Sequence, residues 1–422
     1  MTATAPVPCC GSTSRPGGLD GSPAGASMPI LRSPRNSAVL TADQRAIREL
    51  ARDFAESEIL PEAAAWDRRG AFDRGVLRKL GELGFLGMLV PERYGGLGLD
   101  LPTCLVALEE LARADAALAL TVAIQNGPVP AVLLAHGSES QKAAWLPDLA
   151  SGARIAGFAL SEAQAGSDPS AMTTTAVARD GSWTISGAKK WVTNGASADL
   201  MLIFARTGQD ASGRVAAGAF LVDTDAPGYR AGDREKTMGL RASETVSVEL
   251  DALEVGEESL VGDPRAGLGY ALEALDLGRL GIGAQAVGIA QAALEHAVRY
   301  AHERRQFDRP IASFGAVRGK LARMAARVAA SRALVMEGAR VWEARDALQD
   351  GDPPVRASSA MAKLIASETA TWAAEEAVRI FGGYGFMREY PVEKLMRDAK
   401  GTEIYEGTSE ILRLVIGRSL KS

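Results

Sequence analysis

From Thr41 onward, apolar residues recur every three to four positions. In TADQRAIRELARDFAESEILPEAAAWD, Ile47, Leu50, Ala51, Phe54 and Ile59 mark one face of a helix, and Thr41 is a natural N-cap. VLRKLGELGFLGMLV, LPTCLVALEELARADAALALTVAIQ and SQKAAWLPDLASG continue the helical pattern, interrupted by the turn-rich PERYGGLGLD. They predict an N-terminal α-helical domain over residues 39–153. Between 154 and 266 the period shortens to two in ARIAGFALS, TTTAVARD, GSWTISGAKKWVT, DLMLIFART, VAAGAFLVD and TVSVELDAL. The Asp180-Gly181 pair between two alternating runs predicts a hairpin turn. Short strands at this spacing predict an antiparallel β-barrel or sandwich. From Gly267 long helical patterns with small-residue faces return, predicting a four-helix-bundle-like domain over 267–422. The expected fold class is α+β and multidomain, with no βαβ alternation of the Rossmann kind.

Composition narrows the function classes. Residues 1–38 are rich in Pro, Gly, Ser, Ala and Thr and predict a disordered tail. Lys plus Arg number 47 against 52 Asp plus Glu, a net charge of -5, so no nucleic-acid partner is expected. No apolar run approaches the roughly 20 residues that span a bilayer, so no membrane insertion is expected. Cys9, Cys10 and Cys104 are too few and too badly placed for a disulfide framework, which fits a reducing, cytoplasmic compartment. His136, His296 and His302 are scattered without HExxH or CxxC spacing, and no metal site is expected.

Five segments carry candidate chemistry, each with an ordinary structural reading beside it. FALSEAQAGSDPS, Phe158 to Ser170, leaves a strand into a turn whose N–H groups and hydroxyls suit a polar ring edge or a phosphate, or simply form a loop. WVTN, Trp191 to Asn194, presents a flat aromatic face suited to a planar cofactor or to the core. FGGYGF, Phe381 to Phe386, breaks a helix with paired glycines, as a close approach or a C-cap would. HERRQF, His302 to Phe307, closes a long helix with basic residues that fit a phosphate or the helix dipole. In EIYEGTSEILRLV, Glu406 precedes a helix capped by Thr408 or Ser409, where a carboxylate is favoured by the helix start alone.

Together, LSEAQAGSDPS, WVTN, MGLRASET, DLGRLGIGAQAVGIA, ERRQF, FGGYGF, YPVEKLMRDAK and IYEGTSEI give the chain a strong resemblance to the acyl-CoA dehydrogenases over about residues 41 to 420. The resemblance implies a flavoenzyme with FAD that desaturates an acyl-CoA thioester between its α and β carbons. It implies flavin contacts from Phe158, Leu160, Ser161, Gly166, Ser167, Trp191, Val192 and Thr193, with Thr408, Ser409 and Glu410 also on the cofactor. Arg304, Phe307, Arg379, Ile380, Phe381, Gly382 and Gly383 match positions that reach FAD from a neighbouring subunit, which implies a homo-oligomer, commonly a tetramer. Asp276, Leu277, Gly278 and Arg279, with Ser167 and Gly407, match positions that meet the substrate. Glu406 stands in the place of the catalytic base, with its backbone N–H and a flavin ribityl hydroxyl on the thioester oxygen. Some relatives place the base at the position of Gly278, which here has no side chain.

An electron-transferring flavoprotein is the implied electron acceptor, and the overall likeness is to short-chain and branched short-chain members. An oxidase, an enzyme acting on a carrier-protein-tethered acyl group, and a non-catalytic flavin-binding scaffold are the alternatives. Gly315, Arg318 and Arg379 depart from glutamines that are usual in relatives, and Arg379 suggests an ion pair to a phosphate. Thr121 and Gln125 are expected at the floor of the acyl pocket, where their polarity argues against a deep apolar tunnel.

Overall fold

The computed structural model describes residues 40–209, 213–349 and 354–420; the expected tail at 1–38 lies outside them. The first helix, α1 (Ala42–Phe54), starts where the pattern places it. Thr41 and Gln44 form a reciprocal capping box, and Ala51 and Phe54 are buried. Leu50, expected on the same face, is exposed. Helices α2 (Ala63–Arg69), α3 (Arg74–Glu82), α4 (Leu101–Ala114), α5 (Ala116–Asn126), α6 (Pro128–His136) and α7 (Glu139–Ser151) follow, with Asp100, Asp115 and Ser138 as side-chain caps of α4, α5 and α7.

One expectation needs correction here. The 21 residues Ala116–His136 are long and apolar enough to cross a membrane, although the sequence reading found no such run. The most apolar 18-residue window of that stretch is 89% buried inside the protein. At Gly127 the backbone leaves helical geometry, dividing it into α5 and α6, so its apolarity serves the core.

The middle region is an eight-stranded sheet of β1 (Ala156–Ala159), β2 (Thr175–Arg179), β3 (Ser182–Thr193), β4 (Leu200–Gln209), β5 (Val215–Asp223), β6 (Tyr229–Arg234), β7 (Thr245–Gly256) and β8 (Leu260–Val261), in the order β6-β7-β3-β2-β4-β5-β8. The predicted hairpin joins β2 to β3, with both Asp180 and Gly181 at positive φ, as a tight primed turn requires. Most pairings are antiparallel as expected. The departures are both on β4: β1 lies parallel to it from Ala156 opposite Leu200, and β2 meets it in parallel at Thr175 opposite Arg206, so the sheet is mixed. Parallel neighbours need a crossover. The β2–β3 hairpin supplies it, and it leaves the segment after β1 free to form a loop.

The last third is α8 (Gly267–Glu303), a short hairpin β9–β10 (Arg305–Gln306 and Arg309–Pro310), then α9 (Gly315–Glu343), α10 (Val355–Phe381), α11 (Pro391–Thr402) and α12 (Ser409–Ser419). At 37 residues α8 is about 55 Å long and is the spine of the molecule. It packs against α9, α10 and α11, as the bundle pattern predicts, and also against α4 and α5. Its contact with α4 is close: a side chain at Gly288 would meet the Glu109 carbonyl oxygen at 2.5 Å.

A buried ionic junction ties the three regions together. Lys394 of α11 lies 2.6 Å from Asp398 and 2.9 Å from Asp115, the cap of α5. Asp398 also accepts from the backbone N–H of Leu240, in the segment between β6 and β7, at 2.6 Å. Burial disfavours the ammonium, but the two carboxylates outweigh it and hold Lys394 charged. Lys394→Met should therefore leave two buried carboxylates unpaired and destabilise the protein by about 3–5 kcal/mol. Arg74→Ala, which breaks the solvent-exposed pair with Asp199, should change stability by less than about 1 kcal/mol. Urea unfolding of the two variants beside the parent protein measures the contrast.

Candidate active site

The three regions enclose a cavity of about 530 Å³. Phe158, Leu160, Ser161, Gly166 and Ser167 line it from the segment after β1, and Trp191 and Thr193 from the end of β3. Gly278 and Arg279 of α8 and Glu406 and Gly407 of the turn between α11 and α12 close the opposite side. At another part of the wall Leu120, Ala123 and Ile124 of α5 meet Leu272, Leu275 and Ile282 of α8, all aliphatic.

The loop after β1 is braced from beneath. Glu162 accepts from Lys189 Nζ at 2.9 Å, Thr173 N at 2.7 Å and Thr174 N at 3.0 Å, and both Glu162 and Lys189 are buried. Burial pushes the Glu162 carboxyl up, but the ion pair and hydrogen bonds more than offset it and hold it at about 2. The loop's exposed face is thus anchored by a permanent buried ion pair. Trp191 has φ 57°, a left-handed backbone, and its side chain is 54% exposed despite lining the cavity. Among the described residues no side chain lies within 4 Å of where a Gly166 Cβ would stand, and the buried Ser243 hydroxyl in the cavity wall has no hydrogen-bond partner. An uncovered indole face, open backbone and an orphaned hydroxyl fit a planar, polar-edged ring such as an isoalloxazine.

Glu406 is held in an unusual backbone. Its φ is 56° and that of Gly407 is 98°, two successive left-handed residues immediately before Thr408, which caps α12 through Ile411 N. The Glu406 carbonyl oxygen accepts from Arg279 Nε at 3.3 Å and the Gly407 carbonyl oxygen from Lys363 Nζ of α10 at 2.7 Å. Its N–H donates to no group among the described residues. The side chain turns onto α8, where a Cβ at Gly278 would stand 2.7–2.9 Å from the carboxyl group. Oε2 is buried without a partner. Burial raises the Glu406 carboxyl to about 7; Arg279 and Lys363 oppose the rise and Asp276 adds to it.

Three family models cover the chain nearly end to end: the acyl-CoA dehydrogenase N-terminal domain over residues 41–153, the middle domain over 157–253 and the C-terminal domain over 265–421. This chain belongs to the acyl-CoA dehydrogenase family. It is 42% identical to an acyl-CoA dehydrogenase of Bacillus subtilis over 90% of its length and 98% of that protein's. It is 41% identical to the mitochondrial short-chain specific acyl-CoA dehydrogenase of Mus musculus, over 93% of each. Its fold superposes on the butyryl-CoA dehydrogenase of Megasphaera elsdenii with a TM-score of 0.86 at 37% identity, covering 91% of this chain and 99% of that one.

Not every expected site residue of this acyl-CoA dehydrogenase family member reaches the cavity wall. Val192 is buried in the core of the sheet. Asp276 and Leu277 are buried beside the cavity, with Asp276 paired to Arg279 and to Arg356 at 3.1 Å. Thr408, Ser409 and Glu410 form the start of α12 and do not line the cavity. Arg304, Phe307, Arg379, Ile380, Phe381, Gly382 and Gly383 do not line it either. Arg304 lies over the Tyr384 ring, Phe381 stacks on Tyr300 at 4.0 Å, and Phe307 is 86% exposed. Arg379 pairs with Glu375 and Glu376 of its own helix, which compete for the phosphate contact its sequence suggests.

The expected pocket floor is corrected as well. Thr121 bonds to Asn194, while Gln125 bonds to the Leu149 and Arg154 carbonyls and accepts from Ala156 N. Their polarity is consumed in joining α5 to α7, to β1 with the residues before it, and to the residue after β3, and another face of α5 meets the cavity. Sequence reasoning missed Lys363, Glu162 with Lys189, and Ser243. A lysine among small apolar residues in SSAMAKLIA was the available signal for Lys363.

Gly278→Ala tests the seat of Glu406. The colliding atoms end a flexible side chain, so the fold should survive. The carboxyl group must retreat by at least about half an ångström to reach ordinary contact distance. A crystal structure of the variant should show that displacement with α8 unchanged.

Proposed function

We propose that this chain catalyses FAD-dependent α,β-dehydrogenation of a short-chain acyl-CoA thioester to the trans-2-enoyl-CoA, with Glu406 as the base. The observation that carries the assignment of the base is its buried carboxyl Oε2, without a partner in the cavity wall. When bound, FAD supplies the acceptor for two electrons and the β-hydrogen as hydride. Residues 158–167, Trp191, Thr193 and Ser243 would hold it. Glu406 takes the α-proton, and a carboxyl raised toward 7 is a stronger base than an ordinary one while still ionised near neutrality. Its N–H, which has no partner among the described residues, is suited to the thioester oxygen as negative charge develops there. The aliphatic wall of α5 and α8 excludes water and receives the acyl chain.

Phe307, 86% exposed and outside the cavity wall, supports the reading that a neighbouring subunit contributes to the cofactor site. We assign a homotetramer, an electron-transferring flavoprotein as acceptor, and a cytoplasmic location on the same basis of family likeness.

Purified protein should be yellow and should bleach anaerobically with butyryl-CoA. Glu406→Gln should keep the flavin and lose bleaching by at least about 10³-fold; a variant that still bleaches removes Glu406 from the role of base. The pH dependence has a defined sign. The base acts ionised, so the flavin-reduction rate in the free enzyme should climb with pH to a plateau above about 7 and fall about tenfold per unit below it. Stopped-flow reduction across pH 5.5 to 8.5 reads this directly.

A further inference from the structure

Lys363 lies in the middle of α10 with no exposed surface. A buried ammonium is disfavoured by several kcal/mol unless its charge and its donors are compensated. Its Nζ has one hydrogen-bond partner among the described residues, the Gly407 carbonyl oxygen at 2.7 Å. One neutral carbonyl does not compensate a group with three donors and a full charge. The nearby charges come from two other elements. Burial lowers the ammonium to about 7; Glu406 and Glu403, on the turn after α11, oppose the fall, whereas Arg279 of α8 adds to it. Asp276 of α8 is already taken by Arg279 and Arg356.

The tether falls on the part of the backbone that most needs one. Glu406 is a non-glycine residue in the left-handed region, a conformation that costs about 1–2 kcal/mol and persists only when its surroundings enforce it. The two carbonyls that follow each side of this bend are gripped by different helices: that of Glu406 by Arg279 from α8, and that of Gly407 by Lys363 from α10. Both cations hold the backbone, and neither is hydrogen-bonded to the carboxylate.

We propose that Lys363 is a positioning residue for the base: it pins the Gly407 carbonyl so that Glu406 keeps its seat against Gly278, and in its ammonium form it favours the ionised carboxylate that removes the α-proton. This rests on Glu406 acting as base. Abstraction of the α-proton by the carboxylate leaves a neutral carboxylic acid, and the step itself moves no proton to or from Lys363.

Three variants separate the tether from the charge. Lys363→Gln keeps a donor for Gly407 but removes the charge, Lys363→Met removes both, and Lys363→Arg keeps both. The holoenzyme is assayed by anaerobic flavin reduction with butyryl-CoA across pH, with bound flavin measured by absorbance. Lys363→Gln is expected to retain flavin and to move the midpoint of the pH profile upward by about one unit, an approximately tenfold loss below the midpoint. Lys363→Met should show the same displacement with a lower plateau, and Lys363→Arg should restore the parent midpoint. A flavin-replete Lys363→Gln protein with the parent midpoint overturns the proposal, since a merely structural lysine would change stability and leave the profile in place.

Should the neutral variants fail to hold flavin, the coupling is read in the intact lysine. Side-chain NMR of Lys363 in the parent holoenzyme and in Glu406→Gln should show it losing its proton at lower pH once the carboxylate is gone; identical titrations overturn the proposal. Bleaching by Glu406→Gln would instead sink the assignment of the base, and the NMR comparison would still decide whether the two groups are coupled.

Discussion

A carboxyl group can be sealed against the side of α8 only because position 278 carries no side chain. Most features of the candidate site follow from that single steric allowance. The carboxyl group loses water and gains no hydrogen-bond partner at Oε2, so its proton affinity rises. The turn that delivers it must bend through two left-handed residues to reach the gap. That bend in turn needs cations on its outward carbonyls, which α8 and α10 provide. Filling position 278 would remove the reason for the bend before it affected the helix.

The surrounding architecture brings the parts of this arrangement within reach of each other. α8 carries Gly278 and Arg279, while α11 ends at the turn bearing Glu406. The Lys394 junction clamps α11 to the start of α5 and to Leu240, so the helix that leads to Glu406 is fixed to the helix that lines the aliphatic part of the cavity. Replacing surface ion pairs for such a junction would not serve, since exposed pairs contribute little and hold no fixed geometry. The cavity is therefore a consequence of buried charge as much as of apolar packing.

Much of this was legible in the sequence, for definite reasons. Period and turn chemistry give the helix, sheet, helix order, the Thr41 cap and the Asp180-Gly181 hairpin, because each is decided by residues a few positions apart. The motifs around Gly166, Trp191 and Glu406 point to one cavity because each is a local device for exposing backbone or charge. Thr121 and Gln125 misled because polarity alone does not say which face of α5 a side chain occupies. The parallel pairing of β1, the closeness of Gly278 to Glu406, and the Lys363 tether join residues 40 or more positions apart. No local pattern encodes them. Only the buried lysine in an apolar helix left a trace, as a charge where the helical face should be core.

Glu162, beneath the cavity wall, and Glu406, in it, show how the same side chain acquires opposite properties. Both are placed where burial disfavours charge. Glu162 receives Lys189 directly on its oxygen together with backbone donors, so its charge is permanent and its function is to brace. Glu406 also has two basic groups near it, but Arg279 spends its hydrogen bonds on the Glu406 carbonyl and the Asp276 carboxylate, and Lys363 spends its own on the Gly407 carbonyl. Their charge reaches the carboxylate only through space, which moderates the effect of burial without cancelling it. Had either cation bonded the carboxylate itself, Glu406 would resemble Glu162, a poor base with no reason to accept a proton. Directing the cations to the backbone fixes the position of the carboxyl group while leaving its proton affinity high, and those are the two properties that removal of a weakly acidic proton requires.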